Sequence, residues 1–210
     1  MNTAFIFFIA VIIAIISVLP PGLLNISAAK ISLEEGRTRG LLFSAGAALV
    51  VILQTYVAAI FARYLNRHPE IIEILRVIAL VVFIGITIYF LLLAKTEKKE
   101  LKEPKIKSKK SSFFYGMLLS VLNVFPVPYQ AYMTTTLAGF GWLNFSQKSI
   151  ISYMSGVGVG SFLTFYMYIL FFKKIKHTSL TSKKNMNIII GSITGIISVI
   201  TLINIVKDYI

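Results

Sequence analysis

Six apolar runs, each near the roughly 20 residues that carry a helix across a bilayer, constrain this 210-residue chain more than any other feature. They lie within Met1–Ala29, at Leu41–Ala62, at about Ile74–Ala94, Phe113–Ala138 and Ser149–Phe172, and at about Met186–Val206. The stretch Ser111–Gln147 carries no charge and is too long for one span. Gly139, Gly141 and Asn144 supply the breakers that end the fourth segment in a short turn. Hydrophobic residues make up 57% of the chain and charged residues 14%, against roughly 45–50% and about 25% in soluble domains. Too few charges are present to clothe a soluble surface. The expected class is an all-α polytopic membrane protein with six transmembrane helices. A disordered chain and a soluble enzyme are set aside.

Composition narrows the chemistry further. There is no cysteine, so no disulfide framework, thiolate metal site or dithiol redox pair can form. The two histidines, His68 and His177, stand apart from each other, and no metal site or other cofactor is expected. The net charge of +13 raises the question of nucleic acid. The basic residues fall between apolar runs, however, and mark membrane topology instead. Loops one, three and five hold 3, 8 and 5 Lys or Arg; loops two and four and the C-terminus hold 3, 1 and 1. The richer loops belong in the cytoplasm, which places both termini outside it. Trp142, in outside loop four, suits an interfacial anchor. The first segment lacks the basic start of a cleaved signal and has Pro20-Pro21-Gly22 where cleavage would be sought, so it is read as a permanent helix.

The charged linker 95–112 divides the chain into halves at 1–94 and 113–210. Three helices per half means that a duplicated half inserts upside down, giving two inverted three-helix repeats. Ser17-Val18-Leu19 precedes the prolines of the first half, and Ser120-Val121-Leu122 precedes Pro126 and Pro128 in the second. Segments two and five align at an offset of 110, placing Gly46 on Gly156 and Tyr56 on Tyr166. Broken helices in inverted repeats put a transporter's site near the midplane, at the repeat interface.

The candidate substrate-binding residues cluster at these breaks: Pro21, Gly22 and Asn25 in the first, and Asn123, Pro126, Pro128 and Gln130 in the second, with Gln54 inside segment two. Proline removes an N–H and frees a carbonyl, and in lipid such groups need protein or a wet cavity. Helix N-termini suit a carboxylate, and Asn and Gln both donate and accept. The alternative role for Asn25, Gln54, Asn123 and Gln130 is hydrogen bonding between packed helices. For Thr134, Thr135 and Thr136 that role is preferred. Gly46, Gly156, Gly158 and Gly160 are expected at close helix contacts. Gly156-x-Gly158-x-Gly160 is not a nucleotide motif, since it lies inside an apolar run. Glu73 and Arg76, three apart, are expected to pair on one helix face. No interior Asp, Glu or His relay and no ATP-binding motif is visible.

The same residues resemble the lysine exporter/threonine exporter (LysE/RhtB-type) superfamily of bacterial amino-acid efflux proteins. The family's Pro-Gly-Pro-Asn break is matched by Pro20-Pro21-Gly22-Leu23-Leu24-Asn25. Its Gly-Arg-x-x-Gly loop is matched by Gly36-Arg37-Thr38-Arg39-Gly40, with Gly46 following. Its Phe-x-x-Gly and Asn-Pro-Lys are matched by Phe113-Phe114-Tyr115-Gly116 and by Asn123, and its last helix by Asn187, Gly191 and Gly195. Leu23 stands where the family has a second proline, Val124-Phe125 replace Pro-Lys, and Val50 replaces a second helix-two glycine. The chain therefore resembles a divergent member of that superfamily. The resemblance implies a multi-pass protein of the bacterial inner membrane. It implies export of an amino acid or related zwitterion by alternating access, with proton coupling as the family's usual driving force. The expected partners are a small-molecule substrate and the lipid bilayer, not nucleic acid; homo-oligomerisation is left open. The competing reading is a membrane scaffold or assembly factor without transport, or an exporter of another small solute. No enzymatic activity is expected.

Overall fold

A computed structural model of the chain describes residues 2–93, 109–175, 188, 191–192, 195–196, 198–203 and 205–206. Backbone alone is described at 69, 70, 72, 73, 75, 76, 79, 109 and 172–175. The Glu73–Arg76 pair, most of the basic linker, His177 and Asn187 thus lie outside the described side chains.

Helix α1 (Thr3–Val18) starts where Asn2 Oδ1 accepts the amide of Ala4 at 3.0 Å. It stops because Pro20 and Pro21 cannot donate the next two helical bonds. The chain turns through 82° into α2 (Leu23–Glu35). Gly36 then adopts φ +99°, a region that side chains resist, and the chain reverses directly into α3 (Arg37–Arg67). A Cβ on Gly40 would stand 2.6 Å from Ser32 Cβ. The two glycines of the Gly-Arg-x-x-Gly loop therefore act separately: one makes the turn, the other lets α3 press on α2. Arg39 closes the corner with an ion pair to Glu35 at 2.9 Å.

The second half repeats this opening. Helix α5 (Lys109–Leu122) bends by 67° at residues 123–125 into α6 (Pro126–Gly139). Gly141 at φ +69° makes the turn that follows, and the amides of Trp142 and Leu143 both donate to Leu137 O. Trp142 packs edge-on against Phe5, with ring centroids 5.7 Å apart. Helix α7 (Gln147–Ile175) completes this set.

Small residues bring these helices together. A Cβ added to Gly156 or Gly160 on α7 would lie 2.8 Å from Ala10 or Ala14 Cβ on α1. On the other side, Gly46 of α3 meets the carbonyl of Phe113 on α5, and Gly116 of α5 meets that of Phe43 on α3. Lipid tails are as apolar as leucine, so close backbone approach rather than the hydrophobic effect drives such contacts. Ile6, Val51, Leu137, Tyr153 and Val157 fill one buried cluster. Leu24, Phe43, Ala47 and Phe165 fill a second.

The packed units do not follow the sequence halves. One comprises Met1–Asn66 and Pro104–Lys176, the other Arg67–Glu103 and His177–Ile210. Each draws the corresponding stretches of both halves. In the second unit α4 (Pro69–Ile88) continues as a π-helical turn, Tyr89–Leu93. Gly191 and Gly195 of the last segment approach Leu91 and Thr87 closely enough that a Cβ would touch them.

The described residues are helical with no strand. Among the described residues two helices, Arg37–Arg67 and Gln147–Phe171, are long and apolar enough to cross a membrane unbroken; counting each bent pair as one span gives up to four. The apolar runs mark helix positions but understate lengths. Segment two, expected at Leu41–Ala62, is a helix from Arg37 to Arg67, and segment five runs from Gln147 to Ile175. At 1.5 Å per residue α3 is about 46 Å long, beyond the roughly 30 Å hydrocarbon core. Its charged ends reach water, where hydropathy no longer defines the helix. Arg37 and Arg39, expected in a loop, accordingly sit in its first turn.

Candidate functional site

Each break frees carbonyls at the end of a helix, and side chains take them up. In the first, Asn25 Nδ2 donates to Val18 O at 2.6 Å and Pro20 O at 3.0 Å, and Tyr168 of α7 donates its hydroxyl to Leu19 O at 2.7 Å. In the second, Gln54 of α3 donates through Nε2 to Ser120 O at 3.1 Å and Asn123 O at 2.9 Å. Ser120 Oγ in turn donates to Ala47 O at 3.1 Å. Both breaks are thus pinned by a residue from the long helix of the opposite half, Tyr168 for the first and Gln54 for the second. A buried carbonyl left without a donor costs about 1–3 kcal/mol, so these side chains make the breaks tolerable in an apolar setting.

Between the breaks lies a cavity of about 370 Å³, within the range that holds small molecules. Its polar lining residues are Ser17, Asn25, Asn123, Tyr129, Gln130 and Ser161; the remainder is apolar, and no lining residue carries a charge. Gln130 is buried and held by Tyr153, whose hydroxyl donates to Gln130 Oε1 at 2.6 Å.

Both half-helices begin at this cavity, at Gly22–Leu23 and at Phe125–Pro126, without a side-chain cap. Their partially positive ends therefore face it. They differ in what they can donate. In α2 the first bonded amide is Ile26 N, to Gly22 O at 3.0 Å. The amides of Leu23, Leu24 and Asn25 have no acceptor among the described residues. In α6, Pro126 and Pro128 have no N–H, Val127 N donates to Val124 O at 3.2 Å, and Tyr129 N to Phe125 O at 3.3 Å. The first N-terminus offers three donors and the second none.

Of the residues singled out in the sequence, Gly22, Asn25, Asn123, Pro126 and Gln130 line the cavity together. Pro21, Pro128 and Gln54 do not. Pro20, not Pro21, is on the wall, and Gln54 stands behind it as a brace. Thr134, Thr135 and Thr136 bond back to carbonyls of their own helix. Tyr168 and Ser161 were missed by sequence reasoning. Nothing in the sequence separates one tyrosine in an aromatic-rich helix from its neighbours, and a lone serine beside glycines reads as packing.

A family model, LysE type translocator, matches residues 4–204. No curated protein and no solved structure matches the chain. The family match spans both breaks and the cavity between them. The chain is a multi-pass membrane protein of a small-solute transporter family and belongs to the LysE type translocators.

Proposed function

We propose that the chain exports an amino acid or a related small zwitterion from the cytoplasm across the inner membrane by alternating access. The observation that carries this reading is the uncharged, partly polar cavity bounded by two broken helices, one from each half of the chain. An uncharged wall with amide donors and helix ends suits a solute bearing both charges, while a stripped ion would lose its hydration for little in return. Six helices in two inverted three-helix halves, with both termini outside the cytoplasm, remain the proposed arrangement. Three features support it. The two breaks are braced by Tyr168 and Gln54, the two close helix pairs centre on Gly156 and Gly46, and each packed unit takes matching stretches from both halves.

Proton coupling is the family's habit, yet the cavity wall holds no Asp, Glu or His. Efflux down the solute's own gradient fits the wall equally well. A non-transporting scaffold would need only packing and gives no role to a cavity with free donors.

The test is efflux from cells preloaded with a panel of labelled amino acids, with and without the protein and a protonophore. Protein-dependent efflux of one class supports the reading, and its sensitivity to protonophore decides the coupling. No efflux of any amino acid, with the protein present in the membrane, turns the search to other solutes and to the scaffold role.

A further inference from the structure

Ser161 is fully buried on α7, at the cavity wall, and its hydroxyl has no hydrogen-bond partner among the described residues. Among the buried hydroxyls described, it is the exception. Ser44, Thr55, Thr134 and Thr164 each donate to the carbonyl four residues back, at 2.7–2.9 Å. Ser161 sits in the same kind of helix and does not. A buried hydroxyl without a partner costs stability, so a group that completes its bond is favoured at that place.

The same cavity contains the donor-rich start of α2 and the donor-poor start of α6. It also touches the ends of α1 at Val18 and of α5 at Leu122, where the helix dipoles are partially negative; at the end of α1 the carbonyls of Val18 and Leu19 are already taken by Asn25 and Tyr168. The two ends of the site are therefore unlike. Building on the exporter reading above, we propose that the cavity binds a net-neutral amino acid in one orientation. The amides of Leu23, Leu24 and Asn25 and the hydroxyl of Ser161 take the carboxylate, and the ammonium turns toward the end of α5. Two positive helix starts and the lack of any acidic lining residue make the site unfavourable for a second positive charge. Lysine- and arginine-like solutes are refused, and solutes with an uncharged side chain are accepted. No covalent step is involved.

The test uses the purified full-length protein in proteoliposomes loaded with L-leucine, L-threonine or L-lysine, with L-leucinamide as a competitor lacking the carboxylate. The expected result is counterflow of the two neutral amino acids, at least tenfold slower movement of L-lysine, and no competition by L-leucinamide. Ser161→Ala is expected to raise KM for the neutral amino acids about tenfold, the effect of one hydrogen bond to a charged group. Its melting temperature should be unchanged or higher, because the hydroxyl bonds nothing among the described residues. A wild-type KM in Ser161→Ala overturns the assignment, as does L-lysine moving as fast as L-leucine or L-leucinamide competing as well as L-leucine. If the wild-type protein moves no amino acid at all, the exporter reading itself fails, before Ser161→Ala is compared, and the assignment falls with it.

Discussion

Gln54 and Asn123 meet across the two halves of the chain: the Nε2 of Gln54 donates to the main-chain oxygen of Asn123 at 2.9 Å, and also to that of Ser120 at 3.1 Å. The side chain uses both of its donor hydrogens on the carbonyls freed by one helix break. Its own oxygen is buried and has no partner among the described residues. Tyr168 does the corresponding work at the other break with one bond, to Leu19 O.

This difference has a measurable consequence. Gln54→Met keeps the volume and removes both donors; Ser120 O keeps its bond from the Asn123 amide, and Asn123 O is left without its donor in an apolar setting. The substitution should lower stability in detergent by about 1–2 kcal/mol. Tyr168→Phe removes a single bond and should cost about half as much. Thermal unfolding of both variants decides it; a Gln54→Met protein as stable as wild type would mean that the amide does not hold the break.

Asn25 and Asn123, alike in sequence, part company in the structure. Asn25 is buried, and its Nδ2 spans Val18 O and Pro20 O. Asn123 is partly exposed on the cavity wall, and none of the hydrogen bonds at the breaks involves its side chain. Asn25→Ala should therefore lower both melting temperature and transport, while Asn123→Ala should lower transport with the melting temperature kept. The check is a paired measurement of unfolding and of efflux normalised to protein in the membrane. Equal loss of stability in the two variants would contradict the division.

The breaks themselves were visible in the sequence because proline acts through covalent structure, whatever its surroundings. Pro20 and Pro126 stop α1 and start α6 as their positions require. The apolar runs placed the helices but not their ends, as the span of α3 from Arg37 to Arg67 shows. The division of labour at the site was not visible. Asn25, Gln54 and Gln130 each had two readings open, and only three-dimensional neighbours separate a brace such as Gln54 from a wall residue such as Gln130. Ser161 and Tyr168 carried no periodic or chemical mark in sequence. Tyr168 acts on a carbonyl 149 positions away, and Ser161 on a cavity whose far wall comes from the first half of the chain.

Arg37 links the turn after α2 to α7. Its guanidinium donates to the hydroxyl of Tyr166 and lies over the ring, 5.4 Å from the centroid. The pair is exposed, so the stacking is worth about 0.5–1 kcal/mol. Tyr166→Phe should retain that part and lose only the hydrogen bond, whereas Tyr166→Leu should lose both. A double-mutant cycle with Arg37→Gln, read by thermal unfolding, should give a coupling energy under about 1.5 kcal/mol. No coupling at all would make the contact incidental.

The two close helix pairs offer the sharpest test of equivalence between the halves. A Cβ on Gly156 would collide with the backbone of Phe7 and stand 2.8 Å from Ala10 Cβ. One on Gly46 would collide with the backbone of Phe113, near Met117. Backbone cannot swing aside as a side-chain tip can, so Gly46→Ala and Gly156→Ala must each push a helix away, at about 1–3 kcal/mol. Among the described residues, nothing lies within 4 Å of the Cβ position of Gly85 on α4. Gly85→Ala should be neutral or stabilising, by up to about 1 kcal/mol from helix propensity alone. Melting temperatures of the three variants should fall, fall and hold. If Gly46→Ala is harmless while Gly156→Ala is not, the two contacts are not equivalent, and the halves are not matched in their packing. If both fall together, small residues at corresponding helix contacts, and not the prolines alone, hold the two broken helices on either side of the cavity.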